Sequence, residues 1–301
     1  MSTPPPLPDL GAKKWVIGAR PRTLPAAVVP VVVGAASASG ASDAVWWRVV
    51  LAAIVSLALQ VGVNYANDYS DGVRGTDDDR VGPLRLVGSG LVPAASVKRA
   101  AILALGVAGV AGLVLAVATT WLLLLVGAAA MVAAWTYTGG PRPYGYAGLG
   151  EIFVFVFFGV VATVGTQYAI SEEFSATGWW ASIGVGAFAC ALLVINNLRD
   201  IPGDTVAGKR TLAVKLGDAK IRLLFVLLIF AAAVSVTITV FTAGFAALLG
   251  LLGVFAARPA LQMVGAGAKG KDLIPVLGAV GKAQMIFGVT YGVGLVMAIT
   301  L

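Results

Sequence analysis

Long apolar runs separated by short polar ones organise this chain. Against the roughly 20 apolar residues that a spanning helix needs, nine runs qualify: 23–40, 46–66, 97–117, 121–138, 149–169, 179–198, 221–241, 244–264 and 283–301. A backbone crossing lipid must satisfy its own polar groups, so the pattern predicts an all-α, polytopic membrane protein with nine transmembrane helices. The polar segments between the runs alternate in kind. The N-terminal flank, 67–96, 139–148, 199–220 and 265–282 hold nearly all the Lys and Arg, whereas 41–45, 118–120, 170–178 and 242–243 hold none. By the positive-inside rule this puts the N-terminus in the cytosol and the C-terminus outside. Arg48 is the one clear exception on the opposite side.

Composition sharpens the class. Charged residues make up 12% of the 301 residues, against about 25% in soluble domains, and mean hydropathy is +0.93. The net charge of +7 belongs to basic loops flanking apolar runs, so it speaks for a lipid bilayer and the cell membrane, not for nucleic acid. Histidine is absent and Cys190 is the only cysteine. That excludes an intrachain disulfide, His-ligated haem, His-containing zinc sites and Ser-His-Asp catalysis. Met1 to Asp9, with Pro4, Pro5, Pro6 and Pro8, reads as an extended tail and not as a cleavable signal. Lys13 to Arg22 reads either as an amphipathic segment on the membrane surface or as a basic topogenic flank. The expected organisation is a disordered or interfacial segment, 1–19, followed by one transmembrane domain, 20–301.

One polar stretch is out of place. Asn64, Asn67, Asp68, Asp71, Arg74, Asp77, Asp78, Asp79 and Arg80 sit where the second apolar run ends and carry five of the 14 carboxylates. Charge at a membrane rim is costly and marks function. A second stretch, Asn196, Asn197, Arg199, Asp200, Asp204, Lys209 and Arg210, closes the sixth run in the same way. The recurrence predicts two four-helix halves with the site between them and a ninth helix added.

Within each stretch the spacing puts Asn64, Asp68 and Asp71, and Asn196, Asp200 and Asp204, on one helical face where the helix continues. Pro202 and Gly203 weaken that continuation in the second set. Carboxylates stacked about 6 Å apart repel and call for a counter-cation. Facing oxygen donors suit hard divalent ions such as Mg²⁺, which keeps waters and bridges to phosphate. The third party this implies is a diphosphate, met by Arg74, Arg80, Arg85, Arg199, Lys209 and Arg210. Asp78 and Asp79 read as solvated loop. A secondary transporter coupling ions through membrane carboxylates is the reading from another class; the clustering of acids at one face speaks against it.

At these residues the chain resembles the UbiA superfamily of intramembrane prenyltransferases. The similar pieces are Arg20 to Pro25, Asn67 to Asp77, Arg80 to Arg85 and Asn196 to Leu212. The resemblance is greatest to the branch that acts on 1,4-dihydroxy-2-naphthoate in menaquinone synthesis. It implies helices around a central cavity open to cytosol and, laterally, to lipid. It also implies Mg²⁺-dependent transfer from a polyprenyl diphosphate, with loss of diphosphate and CO₂, giving a product that is oxidised to demethylmenaquinone. Asp68, Asp71, Asp200 and Asp204, helped by Asn64, are then the metal-holding and catalytic residues. Asn64, Asn67, Arg74, Arg80, Arg85, Tyr137, Asn196, Asn197, Arg199 and Lys209 are the substrate-binding ones. The same fold acting on another aromatic acceptor, such as 4-hydroxybenzoate, is the neighbouring reading. The superfamily pattern puts a third carboxylate at position 75; here that residue is Gly75, and whether Asp77 replaces it stays open. Tyr65, Tyr69, Tyr137, Tyr144 and Tyr146 either line the cavity or anchor at the interface. Glu151 is a buried-carboxylate candidate with no role assigned.

Overall fold

The structure, a computed structural model, describes residues 10–76 and 84–300. Asp77, Asp78, Asp79 and Arg80, together with the extended tail expected over 1–9, lie outside the described residues. Every described element is helical. The helices are α1 Lys13–Ala19, α2 Pro25–Ser37, α3 Arg48–Val73, α4 Ala94–Ala118, α5 Leu122–Thr136, α6 Gly150–Ser171, α7 Ala176–Val206, α8 Leu212–Leu216, α9 Asp218–Ala243, α10 Phe245–Gly265 and α11 Gly270–Thr300.

Among the described residues, seven of these (α3, α4, α6, α7, α9, α10 and α11) are long and apolar enough to cross a membrane. An eighth crossing results when Lys13–Thr23 and Pro25–Ser37, bent by 54°, are counted together. The bend has a local cause. Arg20 takes a left-handed conformation, φ 52°, that closes α1, and Pro21 and Pro25 then open the next two turns. Leu122–Thr136 has 15 residues, fewer than the roughly 20 of a full crossing. Length and composition therefore give seven or eight spans where the apolar pattern gives nine, because α5 is short.

Three boundaries differ from expectation, two of them at the acidic stretches. The helix expected over 46–66 runs on to Val73, and the one expected over 179–198 runs on to Val206, through Pro202 and Gly203. Asp68, Asp71, Asp200 and Asp204 are thus all on continuous helix. The last helix begins at Gly270 and not near 283, so Lys282 is an exposed helix residue and the loop before it is short.

The arrangement centres on α7, whose apolar window is 78% buried against 28–44% for the other spans. Val185, Phe188 and Ile195 of α7 pack with Phe225 and Ile229 of α9 and with Phe287 and Tyr291 of α11. Elsewhere large apolar side chains such as Leu103, Leu125, Phe241 and Phe255 face outward, as lipid allows. A π-helical segment, Phe155–Val161, lies within α6 and packs on α7. There a Cβ on Gly159 would come within 2.6 Å of the Gly186 Cα, so glycine permits a backbone approach that no larger residue would. α3 packs most extensively on α4, and α7 on α9; each acidic helix end pairs with the spanning helix that follows it.

Arg48 has a structural reason to stand outside the loop-charge pattern. It is buried at the start of α3, donates to the carbonyls of Ala118 and Ala169, and pairs with Glu172 at 2.7 Å. It ties the ends of α4 and α6 to α3. Removing a buried charged group from such a network costs about 3–5 kcal/mol, whereas the Glu172 side chain is 53% exposed and an exposed partner contributes at most about 1 kcal/mol. Thermal unfolding in detergent should therefore fall much further for Arg48→Ala than for Glu172→Ala. Equal losses would show that the carbonyl contacts contribute nothing.

Candidate functional site

Helix α3 continues to Val73 and α7 to Val206, which carries their acidic ends to opposite sides of one cavity of about 700 Å³. Asp71, Asp200 and Asp204 line it, together with Asn64, Asn67, Asn196, Asn197, Arg85, Arg199, Lys209 and Tyr137. Away from this polar end the lining is apolar and reaches Ala52, Leu115, Leu123 and Val126. The residues that the two stretches put forward are thus brought together, with three exceptions among those described.

Asp71 is the junction. Its Oδ1 accepts from the Tyr146 hydroxyl and from Lys209 Nζ at 3.1 Å, while Arg85 Nη2 lies 3.9 Å from Oδ2. Lys209 and Arg74 also sit over the Tyr146 ring, 4.7 and 5.4 Å from its centroid. Burial pulls the Lys209 pKa down, but Asp71, Tyr146 and Asp204 together outweigh it, so the ammonium titrates above an ordinary lysine. Burial, then the Asp71 charge, raises Tyr146. Both groups stay protonated and both keep donating to Asp71.

On the facing side Arg199 grips Asp200 through Nε and Nη2 at 2.7 and 2.8 Å. Its Nη1 is buried without a hydrogen-bond partner among the described residues, and a buried donor left over is costly unless an anion takes it. Asp204 accepts from the Thr211 hydroxyl at 3.4 Å.

Asp68, Arg74 and Arg210 sit apart from the cavity wall. Asp68 is fully buried, and its two oxygens accept from the main-chain amides of Leu86 and Val87, each at 2.9 Å. It holds the segment that carries Arg85. Arg74 donates to the carbonyls of Thr138 and Gly140, fastening the end of α3 to the loop after α5. Arg210 is exposed, and its amide bonds to the Tyr146 carbonyl.

The tyrosines divide as well. Tyr137, Tyr144 and Tyr146 line the cavity. Tyr65 instead donates to the Trp15 carbonyl at 2.7 Å, seating α1 on α3, and Tyr69 packs between Trp135 and Lys98.

Among the lining residues not put forward as site candidates are Gln60 and, although they fall in the Arg20 to Pro25 piece similar to the family, Arg20, Arg22 and Thr23. Thr23 Oγ1 accepts from Asn64 Nδ2 and Gln60 Nε2, both at 3.0 Å. Gln60 carried a usable signal, since a lone amide inside an apolar run is itself out of place. For Arg20 and Arg22 charge alone does not separate a cavity cation from a topogenic flank, and only their place in the piece similar to the family sets them apart.

The donor chemistry fits a hard cation, being all oxygen: Asp71, Asp200, Asp204 and the Asn64 amide. Among the described residues no three acidic, His or Cys groups converge into a metal cluster; Lys209 and Arg85 stand against Asp71, and Arg199 against Asp200. Such a site suits an ion that shares its coordination with water and phosphate more than one needing a complete protein cage.

Comparison with known proteins agrees with this geometry. The profile of the UbiA prenyltransferase family matches residues 27–272. The chain is 50% identical, over 277 residues, to the 1,4-dihydroxy-2-naphthoate octaprenyltransferase of Mycobacterium tuberculosis, covering 91% of this chain and 94% of that one. It is 39% identical over 222 residues to the protein of the same name from Escherichia coli, covering 69% and 70%. Among solved structures, a UbiA homologue from Aeropyrum pernix K1 superposes with a TM-score of 0.69 at 16% identity over 91% of this chain and 97% of that one. A UbiA homologue from Archaeoglobus fulgidus bound to DMAPP and Mg²⁺ gives 0.60 at 16% identity over 94% and 99%.

Inorganic diphosphate with Mg²⁺ is a direct probe of the polar end. Losing one charge-assisted hydrogen bond costs about 1.5–3 kcal/mol, so Lys209→Ala and Arg199→Ala should each weaken diphosphate binding by about tenfold or more in calorimetric titration. Arg210→Ala, at an exposed position off the wall, should leave it within about twofold; a loss as large as theirs would mean that general basicity, not the cavity, does the binding.

Proposed function

The chain belongs to the UbiA prenyltransferase family, and from that premise we propose that it transfers a polyprenyl group from polyprenyl diphosphate to 1,4-dihydroxy-2-naphthoate. Diphosphate and CO₂ leave, and the product is the quinol, demethylmenaquinol, which a separate oxidation converts to demethylmenaquinone, a step of menaquinone biosynthesis. One observation carries this reading. A single cavity joins a polar end, with three carboxylates and three buried cations, to an apolar passage ending near Ala52 and Leu123. Those two ends match a diphosphate head and an isoprenoid tail. The acceptor is taken from the relatives' names.

In this scheme Asp71, Asp200 and Asp204, with the Asn64 amide oxygen, would hold Mg²⁺, which when bound neutralises diphosphate charge. Arg85, Arg199 and Lys209 bind the diphosphate and stabilise the charge that grows on it as the allylic C–O bond breaks. Asn67 and Asn196 complete the polar wall. Tyr137 and Tyr144 turn aromatic surface to the allylic cation. The cation then adds at the ring carbon bearing the acceptor's carboxylate, and that carboxylate departs as CO₂. Asp68 and Arg74 act by position: the first holds the Arg85 segment and the second holds the loop that carries Thr138, whose hydroxyl donates to Asn67 Oδ1 at 2.7 Å.

We place the chain in the plasma membrane with nine crossings, α5 being a short one, and with the polar end of the cavity on the cytosolic side. A C-terminal reporter that works only in the cytosol should be silent, and an active one would overturn this topology.

Asp71→Asn and Asp200→Asn should each lower transfer from labelled polyprenyl diphosphate by about 100-fold or more, the scale of a lost electrostatic stabiliser, while the protein stays folded in detergent. With a panel of aromatic acceptors, carboxyl-labelled dihydroxynaphthoate should release CO₂ in step with prenyl transfer. Transfer without CO₂ release, or preference for another acceptor, would sink the assigned reaction.

A further inference from the structure

Glu151 is a buried carboxylate for which the reaction above has no use. It lies in the first turn of α6, 8% exposed and outside the cavity wall. Its Oε1 accepts from Asn197 Nδ2 at 2.8 Å, and its main-chain oxygen accepts from the Cys190 thiol at 3.1 Å. Its Oε2 is buried with no hydrogen-bond partner among the described residues. Asn197, unlike Glu151, does line the cavity.

This pairing sets the polarity of the Asn197 amide. An ionised carboxylate only accepts, and an amide offers donors on one side and an acceptor on the other. With one Nδ2–H held by Glu151, the Asn197 amide is fixed in the orientation that turns its Oδ1 edge away from the carboxylate and toward the cavity it lines. Without Glu151 the amide is free to turn either face.

Aromatic surface adjoins this point. Tyr137 lies against Gly150, the residue before Glu151: a Cβ there would stand 3.4 Å from the Tyr137 hydroxyl and 3.5 Å from Leu193, one turn before Asn197. Tyr144 meets Tyr137 edge to face at 5.4 Å and stacks on Phe153 at 3.9 Å. All of these rings line the cavity.

We propose that Glu151 is a positioning residue for the aromatic acceptor: by holding the Asn197 amide it presents Oδ1 to a ring hydroxyl, while the ring lies among Tyr137, Tyr144 and Phe153. The proposal rests on the reading of the chain as a transferase to a hydroxylated aromatic. Accepting that hydrogen bond drives electron density from the hydroxyl oxygen into the ring, whose carbon must attack the prenyl cation. The proton stays on its oxygen, and no bond to Asn197 or Glu151 forms.

A mere staple between α6 and α7 would be indifferent to the acceptor's hydroxyls, and this separates the two roles. Binding of 1,4-dihydroxy-2-naphthoate and of its 1,4-dimethoxy analogue is measured on purified wild-type protein and on Glu151→Leu, alongside the KM for polyprenyl diphosphate and the melting temperature. Glu151→Leu should weaken the dihydroxy compound by about tenfold, the scale of one hydrogen bond. Affinity for the dimethoxy analogue and the diphosphate KM should both stay within about twofold, since neither donates to Asn197.

Asn197→Asp alone sets two carboxylates face to face and should lose dihydroxy binding. Combined with Glu151→Gln, the new amide donates to the new carboxylate, whose second oxygen still faces the cavity, and binding should return. Equal losses for both ring compounds, a matching rise in the diphosphate KM, or a folded double variant without recovery would each overturn the proposal. Wild-type protein that binds the dihydroxy compound without prenylating it would sink the assigned reaction and leave the Glu151 comparison readable.

Discussion

The ion pair between Asp71 and Lys209 is the contact on which the site depends. Its partners come from the ends of two helices that enter the cavity from opposite sides, α3 directly and α7 through the turn that follows Val206. Both side chains are at most 8% exposed. Neither would be tolerated there alone, since breaking a buried pair leaves an uncompensated charge at a cost of several kcal/mol. The Asp218–Arg222 pair, one turn apart on α9 with its carboxylate half exposed, carries no such constraint; it is Arg222 alone, through the carbonyls of Val264 and Ala268, that reaches another element. Around Asp71 the constraint spreads: Tyr146 donates to the same oxygen, Arg85 stands beside the other, and Asp68 fixes the segment from which Arg85 comes.

These cations also settle how acids that repel one another can share a cavity. The carboxylates do not converge; each acid has its own neighbour, Lys209 for Asp71, Arg199 for Asp200 and Thr211 for Asp204. The arrangement is preorganised for a ligand that carries negative charge together with counter-cations, because such a ligand engages acids and bases at once. Preorganised charge needs no rearrangement when the leaving group develops its own. An acidic cluster without basic partners would have to wait for metal to fold.

Much of this was legible from the chain. Apolar run lengths located the helices, and the recurrence of Asn, Asp and basic residues after the second and sixth runs located both walls. What periodicity could not resolve was direction within a turn. Asp68 and Asp71 are three residues apart, about 300° around a helix of 3.6 residues per turn, which leaves them some 60° apart on nearly the same face. That difference suffices to aim Asp71 into the cavity and Asp68 at the amides of Leu86 and Val87. Spacing alone treats the two as equivalent. Arg20 and Arg22 were hidden for another reason: a basic flank satisfies the charge rule for topology whether or not it also bends back over a cavity, and the bend depends on the left-handed turn at Arg20.

Glu151 shows the same limit from the opposite side. A carboxylate at the start of an apolar run looks like a candidate ligand, yet its side chain stops one residue short of the cavity and meets Asn197 instead. Isolated burial would favour its loss, because its second oxygen gains nothing there. A carboxylate buried there makes physical sense where the residue it holds does something that a freely turning amide cannot. An acceptor fixed beside stacked rings meets that condition, since orientation, not added attraction, is what a buried carboxylate supplies to an amide.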